Sequence, residues 1–177
     1  TDGQQRALDA LSGSAVMRRQ HLLTGYAGAG KTTVLQKFAG ELVKDRRKFI
    51  MAAPTHKAVE VIARKLRGAG LDVECMTVHS LLSLVPAKAK SDKKTFERKR
   101  NATEVSADVV VIDEASMLSR EMMTHINRHL QARCVVLSGD PAQLPPVGET
   151  ESEAFHVIPR SHLDGIVRQA EGNPIIE

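Results

Sequence analysis

One stretch constrains this chain more than any other: Gly25-Tyr26-Ala27-Gly28-Ala29-Gly30-Lys31-Thr32. It fits the pattern G-x-x-x-x-G-K-[ST], in which backbone N–H groups surround phosphate oxygens and the following helix turns its positive end toward them. The flanks agree: His21-Leu22-Leu23-Thr24 reads as a strand entering the loop, and Thr32 to Lys44 as a helix leaving it. Gly28, Ala29, Gly30 and Thr33 are then expected around the phosphates of a nucleotide. Lys31 would reach the β- and γ-phosphates, and the Thr32 hydroxyl would bind Mg²⁺. Tyr26 is expected to pack beneath the loop.

The remaining chain alternates short apolar runs with helical stretches. Lys48 to Ala53 reads as a strand stopped by Pro54, and His56 to Arg67 as an amphipathic helix ended by Gly68 and Gly70. Asp72 to Met76 is a further short strand, and Thr77 to Val85 a short helix or turn. Asp108-Val109-Val110-Val111-Ile112-Asp113 is a continuous β-branched run, the mark of a strand covered on both faces. Ser119 caps a helix running to Gln131, and Arg133 to Ser138 is another strand. Thr1-Asp2-Gly3-Gln4 has capping-box spacing before a helix through Leu11. This alternation predicts an α/β domain with a mainly parallel sheet flanked by helices.

Two further sites follow strands. Asp113 and Glu114 close the β-branched run, where a carboxylate would stand beside the phosphate loop at the carboxyl edge of the sheet. Asp113 would hold the Mg²⁺, and Glu114 would orient and deprotonate an attacking water. Gly139-Asp140-Pro141-Ala142-Gln143 follows the last strand. There Gln143 would meet the γ-phosphate or the water, with Asp140 supporting the metal shell.

Composition narrows the rest. Net charge is +4, yet Ala87 to Arg100 alone carries seven basic and two acidic residues, or +5, which leaves the remainder at −1. A local basic stretch suits a polyanion. Aromatics are only 3% of residues, which argues against a base-stacking platform of several exposed rings. Two cysteines, Cys75 and Cys134, make neither a disulfide framework nor a four-thiolate zinc site and read as buried small hydrophobes. No apolar run approaches the roughly 18 residues of a membrane span.

The phosphate loop, Asp113-Glu114-Ala115-Ser116 and Gly139-Asp140-Pro141-Ala142-Gln143-Leu144-Pro145-Pro146 resemble motifs I, II and III of superfamily-one helicases, most nearly those of the RecD-like and Dda-like branch. The resemblance covers nearly the whole chain, in order. It implies a RecA-like P-loop NTPase fold over 1–177, ATP with Mg²⁺, and movement along single-stranded DNA from 5′ to 3′. It implies that Gln4 reads adenine, as in the Q motif. Ala53-Pro54-Thr55-His56-Lys57-Ala58 and Thr77-Val78-His79-Ser80 are similar to the next motifs, so Pro54, Thr55, His56, Thr77 and His79 would contact the single strand. The bland role for Thr55 and Thr77 is helix capping, and the two roles can coexist. Ile166-Val167-Arg168-Gln169-Ala170 is similar to motif IV, whose arginine would place Arg168 at the γ-phosphate. The basic insertion, residues 86–106, occupies the position of a small pin subdomain that helps split duplex. Phe96 would pack against a base at the fork there, or else onto the subdomain's own small core.

The chain opens at Thr1 without an initiator Met and stops soon after motif IV. Within the resemblance, the second RecA-like domain is missing, and an excised first motor domain is expected, weak in hydrolysis alone and partnered by that second domain. A cytoplasmic setting in a bacterial or phage-infected cell is expected. Three other readings remain: a stand-alone P-loop ATPase switch indifferent to DNA, a nucleic-acid module with a vestigial nucleotide site, and the helicase part of a conjugative relaxase or RecBCD-type complex. The short spacing between Ser80 and Asp113 favours a compact stand-alone helicase.

Overall fold

Valine at 109, 110 and 111 followed by Ile112 leaves no solvent-tolerant side on that strand, and the structure covers both sides. The computed structural model of the chain describes residues 1–17, 19–87 and 95–164. Within them β6 (Ser106–Ile112) lies between β2 (Phe49–Ala53) and β7 (Gln131–Gly139), with Val110 opposite both Ile50 and Val135. Because side chains alternate across a strand, Val109 and Val111 enter one core and Val110 and Ile112 the other. The first core holds residues of α1 (Asp2–Met17), α2 (Lys31–Lys44) and α3 (His56–Gly68), including Leu11, Phe38 and Leu66. The second holds Val78 of the short α4 (Val78–Leu81) and Met122, Met123 and Ile126 of α5 (Arg120–His129). Burying each such large side chain stabilises the fold by roughly 1.5–3 kcal/mol.

The sheet is completed by β1 (Gln20–Gly25), β3 (Glu74–Thr77) and β8 (Arg160–Leu163), in the order β3-β2-β6-β7-β1-β8 with every pairing parallel. Parallel strands end together, so the chain leaves β1, β2, β3, β6 and β7 at one carboxyl edge. Outside this sheet, β4 (Leu84–Pro86) pairs antiparallel with β5 (Phe96–Arg98), with Leu84 opposite Arg98 and Pro86 opposite Phe96. Pro86 and β5 of this hairpin belong to the basic insertion. Residues 88–94 lie outside the described residues.

Three local expectations change, and one strand was not expected. The helix opening the chain continues past Leu11 to Met17, since Leu11, Ser14 and Ala15 go on burying the same face. Helix α5 stops at His129, because Gln131 is taken into β7 opposite Ser106. Strand β8 carries no apolar run: only Leu163 is buried, and pairing with β1 holds it on the sheet's edge. Cys134 is buried, and burial pushes its thiol up to about 11, but Cys75 is only half-buried at the sheet's other edge. A buried polar link ties α1 to β1 and β8: His21 is 2% exposed, with Nδ1 2.8 Å from the Ser14 hydroxyl and Nε2 3.0 Å from that of Ser161.

Candidate nucleotide site at the carboxyl edge

The loop after β1 bends because Gly28 and Gly30 take φ of +79° and +93°, a region other residues rarely enter. Gly30 is the N-cap of α2 and offers no side-chain acceptor to the first turn. The other described α-helices begin at a capping hydroxyl: Thr1, Thr55, Thr77 and Ser119. The amino end of α2 thus keeps its first N–H groups without side-chain acceptors, which suits an anion. Within the loop the Ala29 N–H turns back to the Tyr26 carbonyl at 3.0 Å. The Lys31 ammonium donates to the carbonyls of Gly25 and Tyr26, which holds its charge over the loop.

A cavity of about 220 Å³ opens in front of this loop. Its walls bring together Gly28, Lys31 and Thr32 from the loop, Asp113 and Glu114 from the end of β6, and Gln143 from beyond β7. Six expected residues from three separated stretches therefore meet in one space. The inner wall, from Met51, Ile62 and Leu66 among others, is apolar and belongs to β2 and α3. Burial pushes the Glu114 carboxyl above its ordinary value; Asp113 adds to that, Lys31 opposes it, Asp140 adds slightly, and a hydrogen bond from the Gln143 side chain opposes it. A carboxylate held up in this way is a stronger proton acceptor than a free one. Glu114 also has φ 58° and ψ 41°, a left-handed backbone that a non-glycine residue adopts at a cost of about 1 kcal/mol.

Mg²⁺ takes one or two protein ligands and completes its shell with phosphate and water. Thr32 and Asp113 on the cavity wall form such a hydroxyl–carboxylate pair. Among the described residues no group of three His, Cys, Asp or Glu gathers for a metal held wholly by protein. Asp140 is 4% exposed and its carboxylate accepts the Ala142 N–H at 2.9 Å, so it shapes the loop that carries Gln143.

The other expected residues fall elsewhere. Pro54, Thr55 and His56 follow β2, and Thr77 and His79 follow or end β3. These strands lie at the far end of the same edge, with Thr77 four strand spacings, or roughly 19 Å, from the phosphate loop. Thr55 caps α3 by accepting the Ala58 N–H at 3.2 Å, and Thr77 caps α4 by accepting the Ser80 N–H at 3.1 Å. His79 is turned inward: its Nε2 is buried without a partner among the described residues, and its ring lies on Phe96. Phe96 is half-buried against the second core, and its backbone N–H donates to the Glu121 carboxylate at 2.8 Å. Gln4 does not line the cavity; its amide oxygen accepts from the Thr1 amino group at 3.2 Å while its N–H reaches the Thr1 hydroxyl, a closed capping box. Ala29 is buried within the loop and Thr33 is exposed on α2. Arg168 lies outside the described residues. Tyr26 does not pack under the loop: it stands 52% exposed, its ring edge-on to His162.

Sequence reasoning gave Ser116 no role. Its hydroxyl, 1% exposed, donates to the Gln143 amide oxygen at 3.0 Å and joins the second and third stretches of the site. A hydroxyl two residues past the acidic pair was the available signal.

The sheet, the loop and the acidic pair at its edge define a RecA-like P-loop ATPase domain. A family model described as an AAA domain matches residues 1–176, and the chain belongs to that family. It is similar to the ATP-dependent DNA helicase dda of Enterobacteria phage T4, 29% identical over 88% of this chain and 35% of that protein. It is also similar to the RecBCD enzyme subunit RecD of Buchnera aphidicola, 33% identical over 71% of this chain and 23% of the subunit. The chain thus spans about a third or less of these relatives. The crystal structure of the Pif1 helicase from Candida albicans shares the fold, with a TM-score of 0.62 at 20% identity over 96% of this chain and 40% of that one. These curated relatives are helicases of the RecD-like and Dda-like kind, to which the chain is similar over most of its length. Among the described residues no helix is long and apolar enough to cross a membrane.

Proposed function

We propose that this domain binds and hydrolyses ATP with Mg²⁺ as the first half of a DNA helicase motor, moving on single-stranded DNA from 5′ to 3′ against a second RecA-like domain. The observation that carries the reading is the meeting of Lys31, Thr32, Asp113, Glu114 and Gln143 in one cavity at the carboxyl edge. Gly28, Ala29, Gly30 and the first turn of α2 through Thr33 hold the triphosphate. Lys31 neutralises the β- and γ-phosphates, while Thr32 and Asp113 hold Mg²⁺, which when bound offsets phosphate charge. Glu114 takes a proton from water as the water oxygen bonds to the γ-phosphorus. The bond to the β–γ bridging oxygen breaks and ADP departs. Gln143 orients the water, and Arg168 adds positive charge as the transition state forms.

Single-stranded DNA runs over the opposite end of the edge, along Pro54, Thr55, His56, Thr77 and His79. Hydroxyls, N–H groups and the His56 imidazole there hold phosphates without reading bases. Helix α3 supports this arrangement, since Thr55 caps it at the strand-binding end while Ala58, Val61 and Ile62 line the nucleotide cavity. Phe96 and the basic insertion work at the fork as a pin. The setting is the cytoplasm of a bacterial or phage-infected cell. The test is strand displacement by the full-length protein carrying this chain, on forks with a single 5′ or 3′ tail. Displacement only from the 5′-tailed fork supports the reading, and the opposite preference overturns the polarity.

A further inference from the structure

We propose that Ser116 is a positioning residue for ATP hydrolysis, fixing the Gln143 amide so that its nitrogen faces the Glu114 carboxylate. The inference rests on the reading of Gln143 and Glu114 as parts of the ATP site. Its basis is geometric. Ser116 sits in the single 3₁₀ turn Ala115–Met117 that starts from the left-handed backbone of Glu114. The turn buries Ala115 and Ser116, and the Ser116 hydroxyl is 3.0 Å from Gln143 Oε1, 27 residues away.

A serine hydroxyl donates or accepts, so by itself it would tolerate either face of the amide. A carboxylate only accepts, so Glu114, which lines the same cavity as Gln143, favours the amide nitrogen and disfavours its oxygen. The oxygen then falls to Ser116, whose hydroxyl must donate. The Ser116 hydrogen bond and the carboxylate across the cavity together favour one orientation of the amide.

The loop needs such a hold. Gln143 is followed by Leu144-Pro145-Pro146-Val147, and Leu144 and Val147 are 86% and 105% exposed. Nothing apolar pins that stretch to the core. On the inner side the Gln143 N–H reaches the Asp140 carbonyl at 3.1 Å, which sets the turn but not the side chain. Ser116 is the side chain that sets it. Without the hydroxyl the amide is free to turn over and present its oxygen to Glu114, and a misplaced amide slows turnover without loosening ATP.

The experiment is steady-state ATP hydrolysis by the full-length protein with saturating single-stranded DNA, for wild type, Ser116→Ala, Gln143→Ala and the double variant. Ser116→Ala is expected to lower kcat about 5- to 30-fold with KM for ATP within about twofold. The double variant is expected within about twofold of Gln143→Ala, because both changes remove one unit. Wild-type kcat in Ser116→Ala beside an impaired Gln143→Ala overturns the positioning role alone. Losses that multiply in the double variant do the same, as does a rise in KM that accounts for the whole effect. Normal turnover in Gln143→Ala removes Gln143 from the ATP site and the proposal with it. Ser116→Ala leaves no buried group unpaired, since the Gln143 amide is exposed to water, so a thermal midpoint near wild type is expected.

Discussion

The rings of His79 and Phe96 lie 4.5 Å apart between centroids, inclined at 60°. Through this contact the junction after β3, where the chain was expected to meet single-stranded DNA, supports the root of the basic hairpin. Glu121 adds a second hold by accepting the Phe96 N–H. Burial lowers the His79 pKa, Glu121 opposes this, and His125 and His56 add to it, so the ring packs against Phe96 as a neutral imidazole near pH 7.

Removing the Phe96 ring should therefore act on folding and on the fork together. Phe96→Ala is expected to cost about 1–2 kcal/mol, read as a thermal midpoint lower by about 3–6 °C, while Phe96→Leu keeps most of the packing. In the full-length protein the same Ala variant should lose duplex unwinding well beyond its loss of DNA-stimulated ATP hydrolysis. Equal losses in both assays would leave Phe96 a packing residue and remove it from the pin.

His21 makes the domain sensitive to acid. Burial lowers its pKa, so the folded state keeps it neutral where the unfolded chain, with a pKa near 6.5, takes up a proton. The unfolded state then binds more protons below about pH 6.5, and stability falls as pH drops through that value toward the folded pKa. His79 and His129 are shifted the same way, so the wild-type curve carries all three. Denaturant midpoints at about pH 7.5 and 5.5 should differ less in His21→Asn than in wild type. An unchanged difference would mean that His21 titrates alike in both states.

Thr55 and Thr77 each carry a cap that can be weighed apart from DNA. Thr55→Ala and Thr77→Ala should each destabilise the domain by about 1 kcal/mol, and serine at either position should restore most of it. If the hydroxyls also donate to phosphates, the alanine variants bind single-stranded DNA several-fold more weakly in fluorescence anisotropy, and the serine variants do not. Unchanged DNA binding in both alanine variants would confine these residues to capping.

What the sequence made legible follows from where its signals are strong. The β-branched run 109–112, the glycines of the phosphate loop and the caps Thr55, Thr77 and Ser119 are local features, and each lies where local physics puts it. The α/β alternation followed from them. Strand β8 escaped because Arg160-Ser161-His162 has no apolar pattern, and pairing with β1 alone makes it a strand. The inward turn of His79 escaped because its partner, Phe96, stands 17 positions later across a basic insertion. In the site, Lys31, Thr32, Asp113, Glu114 and Gln143 were legible as motifs. The Ser116–Gln143 link depends on how two loops from adjacent strands meet, which no spacing expresses.

The central claim is that the carboxyl edge forms an ATP site that works with single-stranded DNA. The most direct test is ATP hydrolysis by the full-length protein, with and without single-stranded DNA, beside Lys31→Ala and Glu114→Gln. Strong stimulation by DNA is predicted, with turnover reduced about 10²- to 10³-fold in Lys31→Ala and about 10²- to 10⁴-fold in Glu114→Gln. Glu114→Gln should still bind nucleotide. Hydrolysis that ignores DNA, or that survives both substitutions, would contradict the account.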